Sequence, residues 1–281
     1  MWGVGRGNIL ASGGNAVADP KDDRPLVIRS SAGSVLTLTL NRGERFNPLS
    51  SAMIAALEQE FESVAADDSV RVVVLAAAGK GFSAGHDLKE MRAHAHEKHW
   101  QRELFDACSR MMLRLTALPQ PVIARVHGIA TAAGCQLVSM CDLAVAAETA
   151  TFALPGVNIG VFCSTPAVGV ARNIGRKPAM EMLLTGELVD ARTALGWGLV
   201  NRVVPVDALD TAIAHFTDAI TSRSAATIRM GKHAFYAQIE QKIAPAYATT
   251  SETMACNMLL DDASEGIDAF LGKRTPVWQG R

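Results

Sequence analysis

Apolar residues along the 281-residue chain recur with two different periods. Leu26 to Ser30 and Val35 to Leu40 are short β-prone runs bounded by Gly33 and the polar turn Asn41-Arg-Gly-Glu-Arg45, which predicts a β-hairpin. From Ser50 the period lengthens. Met53, Ile54, Leu57, Phe61 and Val64 fall on one helical face, and this helix is expected to end near Asp67. Arg71-Val-Val-Val-Leu-Ala76 does not alternate at all, as a strand covered on both faces would not. The sequence of elements then repeats. An amphipathic helix around Trp100 to Leu118 (Leu104, Cys108, Met111, Leu115) leads to a strand over Pro121 to Val126, a short helix after Gly134 and a strand over Asp142 to Ala147. Strands alternating with helices predict an α/β fold with a largely parallel sheet and crossover helices. After Pro166 the strand signal survives only at Leu199 to Val204, and helical patterns run on to Leu271. The expected division is a flexible, Gly-rich tail over 1–24, an α/β core over 25–205, and a helical region over 206–281 that docks on the sheet or on a neighbouring subunit.

Composition removes several classes of function. A formal net charge of −1 offers no field for nucleic acid or anionic lipid, so neither partner is expected. No apolar run approaches the ~20 residues that span a bilayer. The five cysteines, Cys108, Cys135, Cys141, Cys163 and Cys256, form no C-x-x-C pair and sit among apolar neighbours, which fits reduced thiols. A reducing compartment follows: the cytoplasm if the chain is bacterial, with the mitochondrial matrix as the alternative. The alternative stays open because Met1 to Asp19 carries one Arg and no acid before Asp19.

Two loops run from a strand into a helix and can aim backbone N–H groups at one point. The first is Gly79-Lys-Gly-Phe-Ser-Ala-Gly-His-Asp-Leu-Lys-Glu-Met91. Its Gly79-x-Gly81-x-x-Ala84 spacing imitates a dinucleotide fingerprint, but no acid ends a second strand about 20 residues on. No Gly-Lys-Ser/Thr closes a phosphate-binding loop either. Gly81-Phe-Ser-Ala-Gly85 does match a nucleophile elbow, which would make Ser83 a nucleophile with His127, His215 or His233 as its base. The second loop is Gly128-Ile-Ala-Thr-Ala-Ala-Gly-Cys-Gln-Leu137, whose small residues leave room for a ligand. Two such turns after neighbouring parallel strands can present two donors to one carbonyl oxygen, the geometry of an oxyanion hole.

These stretches, together with Leu40-Asn-Arg-Gly-Glu-Arg-Phe-Asn-Pro-Leu49, Met-Cys-Asp142, Met180-Glu-Met-Leu-Leu-Thr-Gly186 and Gly196-Trp-Gly-Leu-Val200, resemble the enoyl-CoA hydratase/isomerase (crotonase) family. The resemblance runs in order from about Leu26 to Gly280. It implies a crotonase-like spiral of ββα repeats, a helical C-terminal region that builds homotrimers or hexamers, and an acyl-CoA thioester ligand, with coenzyme A entering as part of that ligand and no permanently bound cofactor. It assigns the oxyanion hole to the backbone N–H groups of His86 and Ala133. It also implies substrate contacts from Arg45, Asn47, Ala84, Gly85, His86, Asp87, Leu88, Ala132, Ala133, Gln136, Pro155, Gly156 and Lys273.

The resemblance fails where the chemistry is done. Hydratases of the family use two glutamates, and the matching positions here are Gln136 and Gly156. An amide does not titrate near neutral pH and glycine has no side chain, so neither can carry a proton. Restoring glutamate at both positions is expected to recover some hydration. An acid eight residues beyond the second glutamate position, used by relatives with other chemistry, is replaced by Ser164 beside Cys163; either would need an activating base, and no histidine is local. His94, His96 and His99 are spaced for a solvated helix face rather than for a metal. Three readings remain: a lyase or isomerase on acyl-CoA with a non-standard base, a non-catalytic acyl-CoA-binding or regulatory protein, and a serine hydrolase using Ser83.

Overall fold

A computed structural model describes residues 23–281. The tail expected over 1–24 therefore lies outside the described residues except for Asp23 and Arg24, and Arg24 is tied to the core through Glu44 at 3.1 Å.

The main sheet has six strands. The hairpin of β1 (Val27–Ala32) and β2 (Val35–Leu40) forms one edge, followed in order by β3 (Val72–Ala77), β4 (Val122–Val126), β6 (Leu143–Ala147) and β9 (Arg202–Val204). The hairpin pair is antiparallel and every other pairing is parallel. A second, three-stranded sheet joins β5 (Ala130–Thr131), β7 (Thr151–Ala153) and β8 (Val189–Asp190). These very short strands carry no periodic signal and were not expected from the sequence.

Helices cover both faces of the main sheet, which is why β3 is buried throughout. Val73, Leu75 and Ala77 face the larger core with Met53, Ile54, Leu57, Phe61 and Val64 of α1 (Ser51–Ala65). Val72 and Val74 point the other way, onto Leu209, Ala212 and Ile213 of α8 (Leu209–Thr221). Burying a side chain such as Phe61 contributes about 1.5–3 kcal/mol. Ser50 starts α1 as an N-cap, its hydroxyl accepting the Met53 N–H at 3.2 Å.

The remaining helices divide by position. Next to the site are α2 (Leu88–Ala93), α3 (Lys98–Ala117), α4 (Ala133–Met140) and α5 (Ser164–Asn173); α6 (Arg176–Thr185) and α7 (Ala191–Trp197) follow. The C-terminal layer adds α9 (Ala225–Gln238), α10 (Ile243–Met258) and α11 (Asp261–Leu271). Neither α9 nor α10 contains a buried residue, and Leu259 and Phe270 are 86% and 83% exposed.

Candidate functional site

The two loops singled out in the sequence are stitched directly to each other. The segment after β3 bridges Ser83 to Ala130 and His86 to Leu49, both in parallel register. Thr131 N–H donates to Ser83 O at 2.9 Å, Leu49 N–H to Gly85 O at 2.8 Å, and Thr131 Oγ1 to Ala84 O at 3.1 Å. Gly85 has φ +87°, and a Cβ there would lie 2.9 Å from the Ala132 Cβ and 3.0 Å from the Ala133 nitrogen, so both its backbone angle and its contacts require glycine.

Ala132 holds φ +50° and ψ −122°, a conformation that side-chain-bearing residues avoid at a cost of about 1–3 kcal/mol. It is the N-cap of α4, so the Ala133 N–H opens the helix and has no intrahelical acceptor. Among the described residues, neither the Ala133 N–H nor the His86 N–H donates a hydrogen bond.

Beside this crossing lies a cavity of about 410 Å³. One wall is Ala84, His86, Leu88 and Met91, continued by Phe105 of α3 and by Ala132. The opposite wall comes from the turn after β7 and the start of α5: Pro155, Gly156, Asn158, Ile159, Val161 and Phe162, then Cys163, Ser164, Thr165 and Pro166. No lining side chain is acidic or basic apart from the imidazole of His86. That ring meets Phe105 edge-on at 5.3 Å between centroids, and its Nε2 is buried without a hydrogen-bond partner. Burial pushes the His86 pKa down to about 4, so the ring is neutral at physiological pH.

Several residues expected at the ligand stand behind the wall. Asn47 has no exposed surface; its amide donates to Ala78 O, Gly81 O and Phe82 O while its Oδ1 accepts the Arg42 N–H. It braces the loop from within and is not among the residues that line the cavity. Asp87 is also buried, caps α2 by accepting the Lys89 N–H at 3.0 Å and the Glu90 N–H at 3.4 Å, and holds Arg45 at 2.7 Å. Gln136 is buried one turn into α4, its Oε1 unpartnered among the described residues. Lys273 is exposed, and neither it nor Arg45 lines the cavity; Arg274 is held by both oxygens of Glu265.

The hydrolase reading is overturned. Ser83 has no exposed surface, and its hydroxyl donates to Asn47 O at 2.9 Å and accepts the Gly85 N–H at 3.2 Å. The three candidate bases are elsewhere: His127 lies on Gly79 O, His233 on Ala117 O, and His215 against Phe216. Cys163 lines the cavity with a thiol that burial pushes up in pKa, and Ser164 has only Phe162 O at 3.4 Å as a partner. His94 stacks on Trp100 and pairs with Glu97, and His99 pairs with Glu103.

The comparison with known proteins agrees with this architecture. The family model described as enoyl-CoA hydratase/isomerase matches residues 30–281. The chain belongs to the enoyl-CoA hydratase/isomerase family. Among its relatives, mitochondrial enoyl-CoA hydratase domain-containing protein 3 of Rattus norvegicus is 39% identical over 277 residues, covering 99% of this chain and 92% of the relative. The crystal structure of an enoyl-CoA hydratase of Mycobacterium smegmatis has a TM-score of 0.89 and 56% identity, covering 91% of this chain and 99% of that one. Human enoyl-Coenzyme A hydratase domain-containing protein 3 has a solved structure with a TM-score of 0.87 and 42% identity, covering 91% of this chain and all of that one (100%). The crotonase-like fold expected from the sequence is therefore present.

Sequence reasoning missed much of the cavity wall. Phe105 was hidden inside a helix pattern, and Asn158, Ile159, Val161 and Phe162 belong to a loop with no period. The available signal was that apolar run itself, Val-Asn-Ile-Gly-Val-Phe, which has neither helical nor strand spacing and ends exposed: Ile159 is 59% accessible and Phe162 46%.

Proposed function

We propose that the protein binds acyl-CoA thioesters and polarises the thioester carbonyl through the backbone N–H groups of His86 and Ala133, without the two-carboxylate hydration of its family. The observation that carries this reading is an uncharged cavity placed against two backbone donors that have no acceptor among the described residues. One oxyanion-hole donor is worth about 10²–10³ in rate, so such a site favours an enolate-like electron distribution. What it lacks is a proton carrier. Gln136 does not titrate, Gly156 has no side chain, the Cys163 thiol is pushed up, and His86 is too weak a base near neutral pH.

Lack of a base favours the binding or regulatory role over a lyase or isomerase. The anionic coenzyme A phosphates meet Lys273 and Arg45, the latter preset by Asp87. The exposed apolar faces of α9 to α11 support a homotrimer or a dimer of trimers, which would cover Leu259 and Phe270. The buried thiols and the mitochondrial name of the rat relative support a reducing interior compartment, the bacterial cytoplasm or the mitochondrial matrix.

The test is calorimetric titration of the purified full chain with hexanoyl-CoA, alongside a crotonyl-CoA hydration assay. Saturable binding with hydration at background is expected. Absence of binding, or hydration well above background, overturns the proposal.

A further inference from the structure

The two loops that carry the proposed donors are joined through a side chain as well as through backbone. Thr131 lies just ahead of Ala132 and Ala133, and it bonds twice to the stretch that leads into His86. Its backbone N–H donates to Ser83 O at 2.9 Å and its hydroxyl to Ala84 O at 3.1 Å. Thr131 is 9% exposed and does not line the cavity, so its hydroxyl serves the neighbouring loop and not a ligand. Among the described residues Ala84 O accepts no other hydrogen bond. Of the hydrogen bonds that cross between the two loops, the one from the Thr131 hydroxyl falls nearest to His86 along the chain.

Peptide planarity carries these contacts to the donors. In a trans peptide the N–H and the preceding C=O point in opposite directions, so fixing one fixes the other. Gly85 O accepts the Leu49 N–H at 2.8 Å, which turns the His86 N–H away from Leu49. The peptide before it is held at both ends, its oxygen by Thr131 Oγ1 and the Gly85 N–H by Ser83 Oγ at 3.2 Å. On the other loop the Ala132 N–H donates to Ala153 O at 2.9 Å, and Ala132 O accepts the Gln136 N–H at 3.0 Å, which fixes the Ala133 N–H. Each loop is braced by its own contacts, and the Thr131 hydroxyl ties one to the other. We infer that Thr131 is a positioning residue, whose hydroxyl sets the spacing of the His86 and Ala133 N–H groups so that both reach one thioester oxygen. Hydrogen bonds weaken steeply when bent or stretched, so a shift of either loop costs one donor. This inference rests on the acyl-CoA reading of the site.

The experiment is isotope-edited infrared spectroscopy of hexanoyl-CoA, labelled at the thioester carbonyl and bound at saturation to the full chain. Thr131→Val keeps the side chain's shape and the backbone bonds but not the hydroxyl, and Thr131→Ser keeps the hydroxyl. Two donors should lower the carbonyl stretch in the natural chain. In Thr131→Val that lowering should shrink by roughly half, the share of one donor, with binding about 2- to 10-fold weaker; in Thr131→Ser it should persist. Because the frequency is read at saturation, a general loss of stability does not move it. An unchanged lowering in Thr131→Val, or its loss in Thr131→Ser, overturns the inference. A structure of the natural chain with hexanoyl-CoA removes dependence on the variants' folding. The Thr131 hydroxyl should stay within hydrogen-bond distance of Ala84 O while both N–H groups meet the thioester oxygen, and a complex with that contact broken overturns the inference. No binding to the natural chain, or binding without any lowering of the stretch, instead removes the acyl-CoA reading on which the inference stands.

Discussion

A side chain at Gly156 would collide with the carbonyl oxygen of Val161 and stand 2.9 Å from the Cys163 sulfur. The same turn is closed by the Val161 N–H, which donates to Gly156 O at 2.9 Å. At the position that the sequence resemblance matches to the family's second glutamate, the closed turn leaves no room for a side chain.

Restoring hydration by Gln136→Glu with Gly156→Glu is accordingly harder than the sequence implies. Forcing extra atoms into a closed turn costs about 1–3 kcal/mol. We expect Gly156→Ala to lower stability by that amount in urea unfolding, and the double variant to hydrate crotonyl-CoA no faster than Gln136→Glu alone. A double variant with natural stability and clear hydration would show that the turn opens freely.

Asn47 and Ser83 hold the first loop from behind. Removing the Asn47 amide strands the Arg42 N–H and three carbonyl oxygens. Asn47→Ala should cost on the order of 3 kcal/mol and weaken acyl-CoA binding, because the His86 N–H is then no longer held in place. Natural Ser83, with no accessible surface, should stay unlabelled by a fluorophosphonate probe.

The cysteines give a direct test of burial. Burial pushes Cys108 and Cys135 up to about 12 and raises Cys141 and Cys163, while Cys256 is exposed. Thiolate is the reactive form, so iodoacetamide at pH 8 should modify Cys256 alone in the folded protein. Mass-spectrometric detection of rapid alkylation at Cys163 would contradict the packing of the cavity wall.

How far the sequence carried these conclusions depended on period. The hairpin, α1 and α3 were legible because residues such as Leu36, Leu38 and Leu40, or Met53, Leu57 and Phe61, repeat at the spacing of a buried face, whereas β3 and β4 showed as short apolar runs without alternation. The two crossing loops were legible from their small residues, but the reason for some of that smallness was not. Gly134 looked like clearance for a ligand, yet its absent Cβ would lie 2.7 Å from the Ser83 Cβ, so it serves loop-to-loop packing. Contacts between segments about 50 residues apart leave no local trace, which is also why the engagement of Asn47 and the wall from Ile159 to Phe162 stayed hidden.

The neutral His86 ring makes stability depend on pH. Its folded value of about 4 lies below the ordinary 6.5, so between these two pH values the unfolded chain binds a proton that the folded chain refuses. Stability is thus fully present above 6.5 and is lost as pH falls towards 4, by on the order of 3 kcal/mol from this group. Urea midpoints measured across pH 4–7 should fall on acidification, and His86→Phe should flatten that slope. An unchanged slope in the variant would remove His86 as its cause.

Lys232 fixes the C-terminal layer to the sheet. Its Nζ donates to Asp142 Oδ2 at 2.7 Å and to Leu115 O and Gln120 O at 2.9 Å, while Tyr236 OH donates to Asp142 Oδ1 at 2.9 Å. Asp142 also accepts the Val122 N–H at 2.7 Å, so one carboxylate joins α9 to the start of β4. Burial lowers the Lys232 pKa while Asp142 opposes that shift. Lys232→Met would leave this carboxylate with its cation gone, a loss of about 3–5 kcal/mol for a buried pair broken on one side. Tyr236→Phe removes one hydrogen bond and should cost only about 1–2 kcal/mol. Chemical unfolding of the two variants should preserve that order; a Lys232→Met protein as stable as the natural chain would show that α9 is held by its apolar contacts instead.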